Sequence, residues 1–366
     1  MRVLFLTNIP NPYRNSFFDL LGREVELDVL YEAKYNKRKF DKVEASPHYN
    51  ALFLSESELH PSKVNTKVFR YLKRKKYDLI VATTYNCLTE LAAIFYMILF
   101  RIPYHLEIDG GFAKTQEKPL NRWIKRTVIS HAQSWWSPNQ PSDDFLKAYG
   151  AKAEKIHRYP FTSLYAKDIL DTIPSNSAKE QLRTQLGITQ SNVILTVGQF
   201  IHRKGFDVLL KSLEDFPLDV EVLIVGDKPT QTYLDLLPKS GKAQIRFLNF
   251  MSKGELANYY QAADLFVLPT REDIWGLVIN EAMANGLPVI TTTRCGSALE
   301  LVEENLNGFL VQPEDEAQLR HRMLEVLSDP IRMHQMSLNS LLKIRGYSFE
   351  AMARTHLDVW KARVTK

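Results

Sequence analysis

The strongest constraint on the fold is an alternation that runs twice along the chain: short β-rich apolar runs separated by stretches of helical periodicity. Runs of this kind suit strands buried on both faces, as in a parallel sheet covered by crossover helices. In the first half they fall at 3–7, 25–31, 79–83, 104–108, 134–137 and 155–158, and in the second at 193–197, 221–225, 245–247, 265–268, 289–291 and 309–311. A chain of 366 residues is too long for one ordinary core. The reading is therefore two α/β domains, 1–170 and 178–345, joined through the polar stretch 168–178 with its Pro174, Ser175, Asn176 and Ser177. Residues 346–366 form a last segment. Its helical period groups Phe349, Met352, Leu357, Val359 and Trp360, and it is expected to pack back on the first domain.

Composition narrows the classes. Cys87 and Cys295 are the only cysteines, which excludes a disulfide framework and a thiolate metal cluster and suits a reducing compartment. The opening segment reads as a buried strand rather than a signal peptide. The most apolar run, 91–100, is half the ~20 residues a spanning helix needs. A cytoplasmic protein is expected, peripheral to the inner membrane face if it binds lipid. Charge is uneven: residues 1–160 hold 25 Lys+Arg against 17 Asp+Glu, a net +8, and 161–366 hold 22 against 25, a net −3. Basic clusters at 37–39, at 73–76 and at Arg122, Lys125 and Arg126 fit either a solvated face or an anionic membrane surface, with Trp123 and Ile124 at the interface. No nucleic-acid motif accompanies them.

Several chemistries lack their signatures. No Gly-x-Gly-x-x-Gly follows the first strand, and no P-loop, His-Glu-x-x-His or Gly-x-Ser-x-Gly occurs. The nine histidines have no metal-ligand spacing, and Asp-x-Asp, which holds a divalent ion on a diphosphate, is missing. A diphosphate here must be neutralised by protein groups, and no metal or cofactor is expected.

Those groups occur in the second half. Pro269-Thr270-Arg271-Glu272-Asp273-Ile274-Trp275-Gly276 leads from a strand into a helix that starts near Gly276 and Leu277. A helix N-terminus offers free backbone N–H groups to phosphate, and glycine lets a ligand approach the backbone. Asp273 lies before this terminus and Glu281 about one and a half turns inside it. They either grip hydroxyls or act as a cap and a solvated helix residue. A second strand–loop–helix runs through Gly198, Gln199, Arg203, Lys204 and Gly205. In the first half, Asn11 and Arg14 follow the opening strand, and strand 104–108 runs through His105 into Asp109-Gly110-Gly111. An acid at a carboxyl strand end stands where parallel sheets bind ligands. Asp109 either serves there, by taking a proton or stabilising a developing cation, or is a turn-former before glycine.

The run from Asp273 through Glu281-Ala282-Met283-Ala284 to Gly286-Leu287-Pro288-Val289-Ile290 resembles the donor-site signature of family 4 retaining glycosyltransferases of the GT-B fold, of the bacterial surface-polysaccharide type. Ile224-Val225-Gly226-Asp227, 263–269 and Asn307-Gly308-Phe309-Leu310-Val311 resemble further family motifs in the right order, strongly over about 190–360. The resemblance implies two Rossmann-like parallel-sheet domains facing across a cleft. It implies Asp273 on the donor sugar, Glu281 on the ribose, Lys204 with Gly198, Gly276 and Leu277 at the diphosphate, and Asp109 at the reacting sugar. Two positions depart from the pattern. Asp273 stands where the family has Glu, one methylene shorter, and Gln199 stands at the family's Arg, with Arg203 expected to supply the charge.

In the first half the family's Gly-rich loop is represented only by location. Arg14, with Asn11, is either a contact to the acceptor or the diphosphate or an ordinary helix-start arginine, and His105 is either an acceptor contact or a buried strand histidine. The activity implied is metal-independent transfer of a hexose or N-acetylhexosamine, with retention, from a nucleotide diphosphate sugar to a glycan or lipid-linked acceptor in cell-surface polysaccharide synthesis. A non-catalytic nucleotide-sugar or glycan-binding protein and a nucleotide-sugar epimerase are the rival readings.

Overall fold

The computed structural model describes residues 1–35, 46–73, 75–113 and 116–364. The basic cluster 37–39 and Arg74 lie outside them. The chain forms two compact units, one of Met1–Thr162 with Ser348–Lys366, the other Ser163–Tyr347.

The first unit holds strands β1 (Arg2–Thr7), β2 (Glu26–Tyr31), β3 (Asn50–Phe53), β4 (Leu79–Ala82), β5 (His105–Glu107), β6 (Trp135–Ser137) and β7 (Ile156–Arg158), in the order β3-β2-β1-β4-β5-β6-β7. All pair in parallel. The central strands β1 and β4 are buried almost throughout, the reason they read as unbroken apolar runs. Strand β3 was not anticipated: it is an edge strand whose Asn50 and Ala51 are exposed, so it carries no apolar run.

The second unit holds β8 (Asn192–Val197), β9 (Phe216–Val225), β10 (Gly241–Leu248), β11 (Leu265–Leu268), β12 (Val289–Thr292) and β13 (Gly308–Val311), again all parallel, in the order β10-β9-β8-β11-β12-β13. Strands β9 and β10 exceed their apolar stretches because they pair along their length down to Phe216 and Gly241. Part of the expected polar connection is helical: Asn176–Gln185 is capped by Ser175, whose hydroxyl accepts from Ala178 N at 3.2 Å. The last helix, Phe349–Val364, contributes Trp360 to the first unit, where it lies 6.2 Å from Phe5 and 6.4 Å from Trp136 between ring centroids.

Candidate functional site

Strand order reverses between β1 and β4 in the first unit and between β8 and β11 in the second. At such a point the loops from two adjacent carboxyl ends leave in opposite directions and open room for a ligand. The sequence-selected residues Asn11, Arg14, Lys204, Arg203 and Asp273 all lie on loops or helix starts that follow three of these strands, β1, β8 and β11.

In the second unit the loop after β8 and the loop after β11 are knitted together by backbone contacts. Arg203 O accepts from Arg271 N and from Thr270 Oγ1, each at 2.8 Å, and the Arg203 guanidinium donates to Glu272 O at 2.7 Å. Arg271 reaches back to His202 O and Asp207. Gly205 makes this approach possible: at φ +68° it adopts a left-handed turn, and a Cβ there would stand 2.0 Å from Pro269 O.

The knitting sets Lys204 Nζ 2.6 Å from Asp273 Oδ2 and Arg203 Nη1 3.3 Å from Oδ1. Lys204 and Asp273 are each 13% exposed, and an ammonium bonded once keeps two hydrogens to donate. Gly198 lies beneath the lysine stem, since a Cβ there would come within 3.5 Å of Lys204 Cδ and Cε. Asp273 is pinned through its backbone, N to Arg294 O and O from Gly296 N, both at 2.9 Å. Gly276 caps the Leu277–Ala284 helix at φ +92°, where a Cβ would meet Cys295 Sγ at 2.8 Å. The group the sequence selected here, Gly198, Arg203, Lys204, Asp273, Gly276 and Leu277, is thus brought to one place. The Lys204–Asp273 pairing was not anticipated.

Glu281 lies on the same helix but has different partners: Ser163 Oγ at 3.1 Å and Tyr260 OH at 3.2 Å both donate to it. It borders a cavity of about 340 Å³ with Asp168, Lys253, Tyr260 and Asn285. Burial pushes its carboxyl above the usual glutamate range, against the opposing pull of Ser163 and Lys253.

In the first unit the carboxyl end of β5 and the start of helix Pro12–Gly22 build a side-chain network. Arg14, 4% exposed, bridges Glu107 and Asp109, while Tyr13 OH donates to Asp109 at 2.8 Å. Glu107 is fully buried and also meets His356 Nε2 at 3.2 Å. Burial works against the Glu107 charge, yet Arg14 and His356 hold its carboxyl below the usual range. Asp109 is shifted the other way: burial raises it, Arg14 opposes, and the Glu107 charge adds to the rise. Its side chain keeps 31% exposure, so a ligand can reach it.

Three expectations need correction or refinement. Arg14 was read as a ligand contact, but its guanidinium is buried and taken up by two carboxylates, so it holds Asp109 instead. His105 is buried, with Nδ1 2.8 Å from Ser134 Oγ, which favours the reading of a buried strand histidine. Asn11 occupies the N-cap of its helix, half-buried and without a side-chain cap bond. Tyr13, Glu107 and His356 belong to the network and were not selected. Glu107 was visible as a charge inside an apolar strand, whereas His356 looked like one more residue of an amphipathic helix.

The basic surface of this unit also differs in detail. Trp123 is exposed, as are Leu99, Phe100 and Leu120. Ile124 packs on the core, however, and Lys125 turns inward to Glu117 and the ring of Tyr149. Among the described residues no group of His, Cys, Asp or Glu is gathered as metal ligands would be, and no helix is long and apolar enough to cross a membrane.

The two parallel-sheet Rossmann-like units define a mixed α/β protein of the GT-B type. Residues 178–341 match the family described as "Glycosyl transferases group 1". It is similar to D-inositol 3-phosphate glycosyltransferase of Xylanimonas cellulosilytica, 29% identical over 238 residues, or 63% of this chain and 56% of that protein. It is also similar to the lipopolysaccharide glucosyltransferase WaaG of Escherichia coli K12, 28% identical over 197 residues, 52% of each. The chain thus spans about half the length of these curated relatives. Among solved structures, sucrose-phosphate synthase from Thermosynechococcus elongatus superposes with a TM-score of 0.76 at 19% identity over 100% of both chains. Anabaena HepE in complex with UDP gives 0.79 at 20% identity, covering 99% of this chain and 100% of that one. These likenesses establish the fold.

Proposed function

We propose that the protein is a retaining, metal-independent glycosyltransferase that moves a hexose or N-acetylhexosamine from a nucleotide diphosphate sugar to a glycan or lipid-linked acceptor. The observation that carries this reading is the second switch point, where Lys204 and Arg203 stand over Asp273 beside the Gly276 helix terminus. Two cations and a helix N-terminus suit a diphosphate, and a fixed carboxylate suits the hydroxyls of the sugar attached to it. Glu281 takes the ribose and Asp109 acts at the reacting sugar. The likeness to WaaG, a lipopolysaccharide glucosyltransferase, supports a surface glycan as the acceptor, and the UDP held by HepE makes a uridine nucleotide the first donor to try.

The same reading places the first unit on an anionic lipid surface in the cytoplasm. Leu99, Phe100, Leu120 and Trp123 are exposed on two neighbouring helices, with Phe95 and Trp123 stacked 6.0 Å apart and Arg101, Lys118, Arg122 and Arg126 exposed around them. Apolar anchors rimmed by basic residues fit an interface where lipid supplies both the apolar phase and the negative charge.

The test is turnover with a panel of nucleoside diphosphate sugars, with and without EDTA, followed by the anomeric configuration of any glycoside. Release of nucleoside diphosphate with a retained linkage, unaffected by EDTA, supports the proposal. Binding without turnover favours a nucleotide-sugar-binding protein, and inversion or loss of activity in EDTA removes the mechanism.

A further inference from the structure

The fully buried pair Glu107–His356 is used by no part of the chemistry above, yet it touches that site through one intervening residue. His356 lies on helix Phe349–Val364 and is 0% exposed. Its Nδ1 is 2.8 Å from Met352 O and its Nε2 3.2 Å from Glu107 Oε2. A carboxylate only accepts, so a hydrogen on Nε2 satisfies Glu107. The ring also lies flat on Trp136, 3.9 Å between centroids at 12°, and edge-on to Phe17 and Tyr159, which fixes its orientation.

Arg14 and His356 both face the Glu107 carboxylate, and Arg14 also faces Asp109; the other titratable groups acting on this network are Tyr13, Tyr159 and Tyr31, whose hydroxyls burial keeps protonated. Tyr13 donates to Asp109 and Tyr159 to Ile108 O. Without His356, Glu107 would rest on Arg14 alone, the guanidinium that also holds the other carboxylate. The one with no access to water, Glu107, would draw the guanidinium more strongly, because a buried charge must be paired where a partly solvated one need not be.

We propose that His356 is a positioning residue: by satisfying Glu107 from the C-terminal helix, it leaves Arg14 free to hold the Asp109 carboxylate in place. The inference takes from the proposed function only the role of Asp109. It makes the helix Phe349–Val364 part of the site in the first unit and not merely a cover for its sheet.

The direct test is the titration of Asp109 followed by its carboxyl ¹³C resonance, assigned by loss of the signal in Asp109→Asn. His356→Phe keeps the ring on Trp136 but removes both hydrogen bonds; the Asp109 midpoint should rise by one pH unit or more. His356→Gln retains an N–H donor toward Glu107 and should restore part of that shift, and it serves as the second variant if the phenylalanine fails to fold. In turnover both changes should lower kcat, with phenylalanine about tenfold, and leave the donor KM within twofold. An Asp109 midpoint unchanged in both variants would overturn the inference. Because the titration needs no turnover, an inactive wild type would remove the glycosyl-transfer reading and leave this one to be decided by the midpoints.

Discussion

The two switch points sit on the same kind of sheet but hold their cations in different ways. In the second unit, backbone hydrogen bonds between two loops fix the geometry, and the cations above them remain reachable: Arg203 is 46% exposed and Lys204 13%. In the first unit the backbone does less and side chains do more, with Arg14 sealed between two carboxylates. A cation kept near water can exchange its partner for a ligand, whereas one sealed inside serves the fold. On the proposed function, the difference fits charge binding in the second unit and the orientation of one carboxylate in the first.

The comparison breaks most visibly at Asp109. Asp109→Asn should lower turnover by roughly 10²–10⁴, the usual worth of a positioned acid or base, with donor affinity unchanged. Steady-state kinetics against the wild type checks this, and an equal fall in donor affinity would place Asp109 in donor binding. Arg14→Met comes next. Removing one partner from a buried ionic group costs about 3–5 kcal/mol, to be read from chemical denaturation as destabilisation of the first unit. The matching change Lys204→Met should cost about 1 kcal/mol or less, since Arg203 stays beside Asp273 and the pair is near water. Equal destabilisation by the two would erase the distinction.

Smaller effects sharpen it. Glu281→Gln should weaken binding of a ribonucleoside diphosphate by about 1.5–3 kcal/mol, because a neutral amide grips ribose hydroxyls less firmly than a carboxylate. The 2′,3′-dideoxy analogue, which lacks those hydroxyls, should bind wild type and variant alike by calorimetry. The two shifted glutamates also separate with pH. Glu107, held low, stays ionised as pH falls through the ordinary glutamate range; its contribution to folding is present above the unfolded-state value and is lost only as pH drops through its depressed folded one. Glu281, pushed up, is protonated sooner, so nucleotide affinity should decline at mildly acidic pH while the first unit remains folded. Calorimetry and circular dichroism across one pH series would show the two events out of step.

The frame of both units was legible because buried parallel strands must be apolar on both faces, and β11 was read residue for residue at Leu265–Leu268. Strand β3 escaped since an edge strand carries no such demand. The second site was legible in its parts because each part is a local motif, a glycine at the helix terminus with an acid three residues before it, and a lysine before a glycine; the pairing of Lys204 with Asp273, 69 residues apart, was not. Much of the first site was not. Arg14 and Glu107 are 93 residues apart, and Glu107 and His356 are 249 apart. Only the topology that sets β5 beside the first and last helices brings them together, and no local spacing encodes it.

If Lys204 and the Gly276 terminus form a diphosphate site, isothermal titration of Lys204→Ala will show it. UDP should lose about 10- to 150-fold in affinity relative to wild type, the fold-change that corresponds to about 1.5–3 kcal/mol for a charged hydrogen bond. Uridine, which lacks phosphate, should change by less than twofold. A wild type that binds no nucleoside diphosphate, or a variant that loses UDP and uridine equally, would contradict the account.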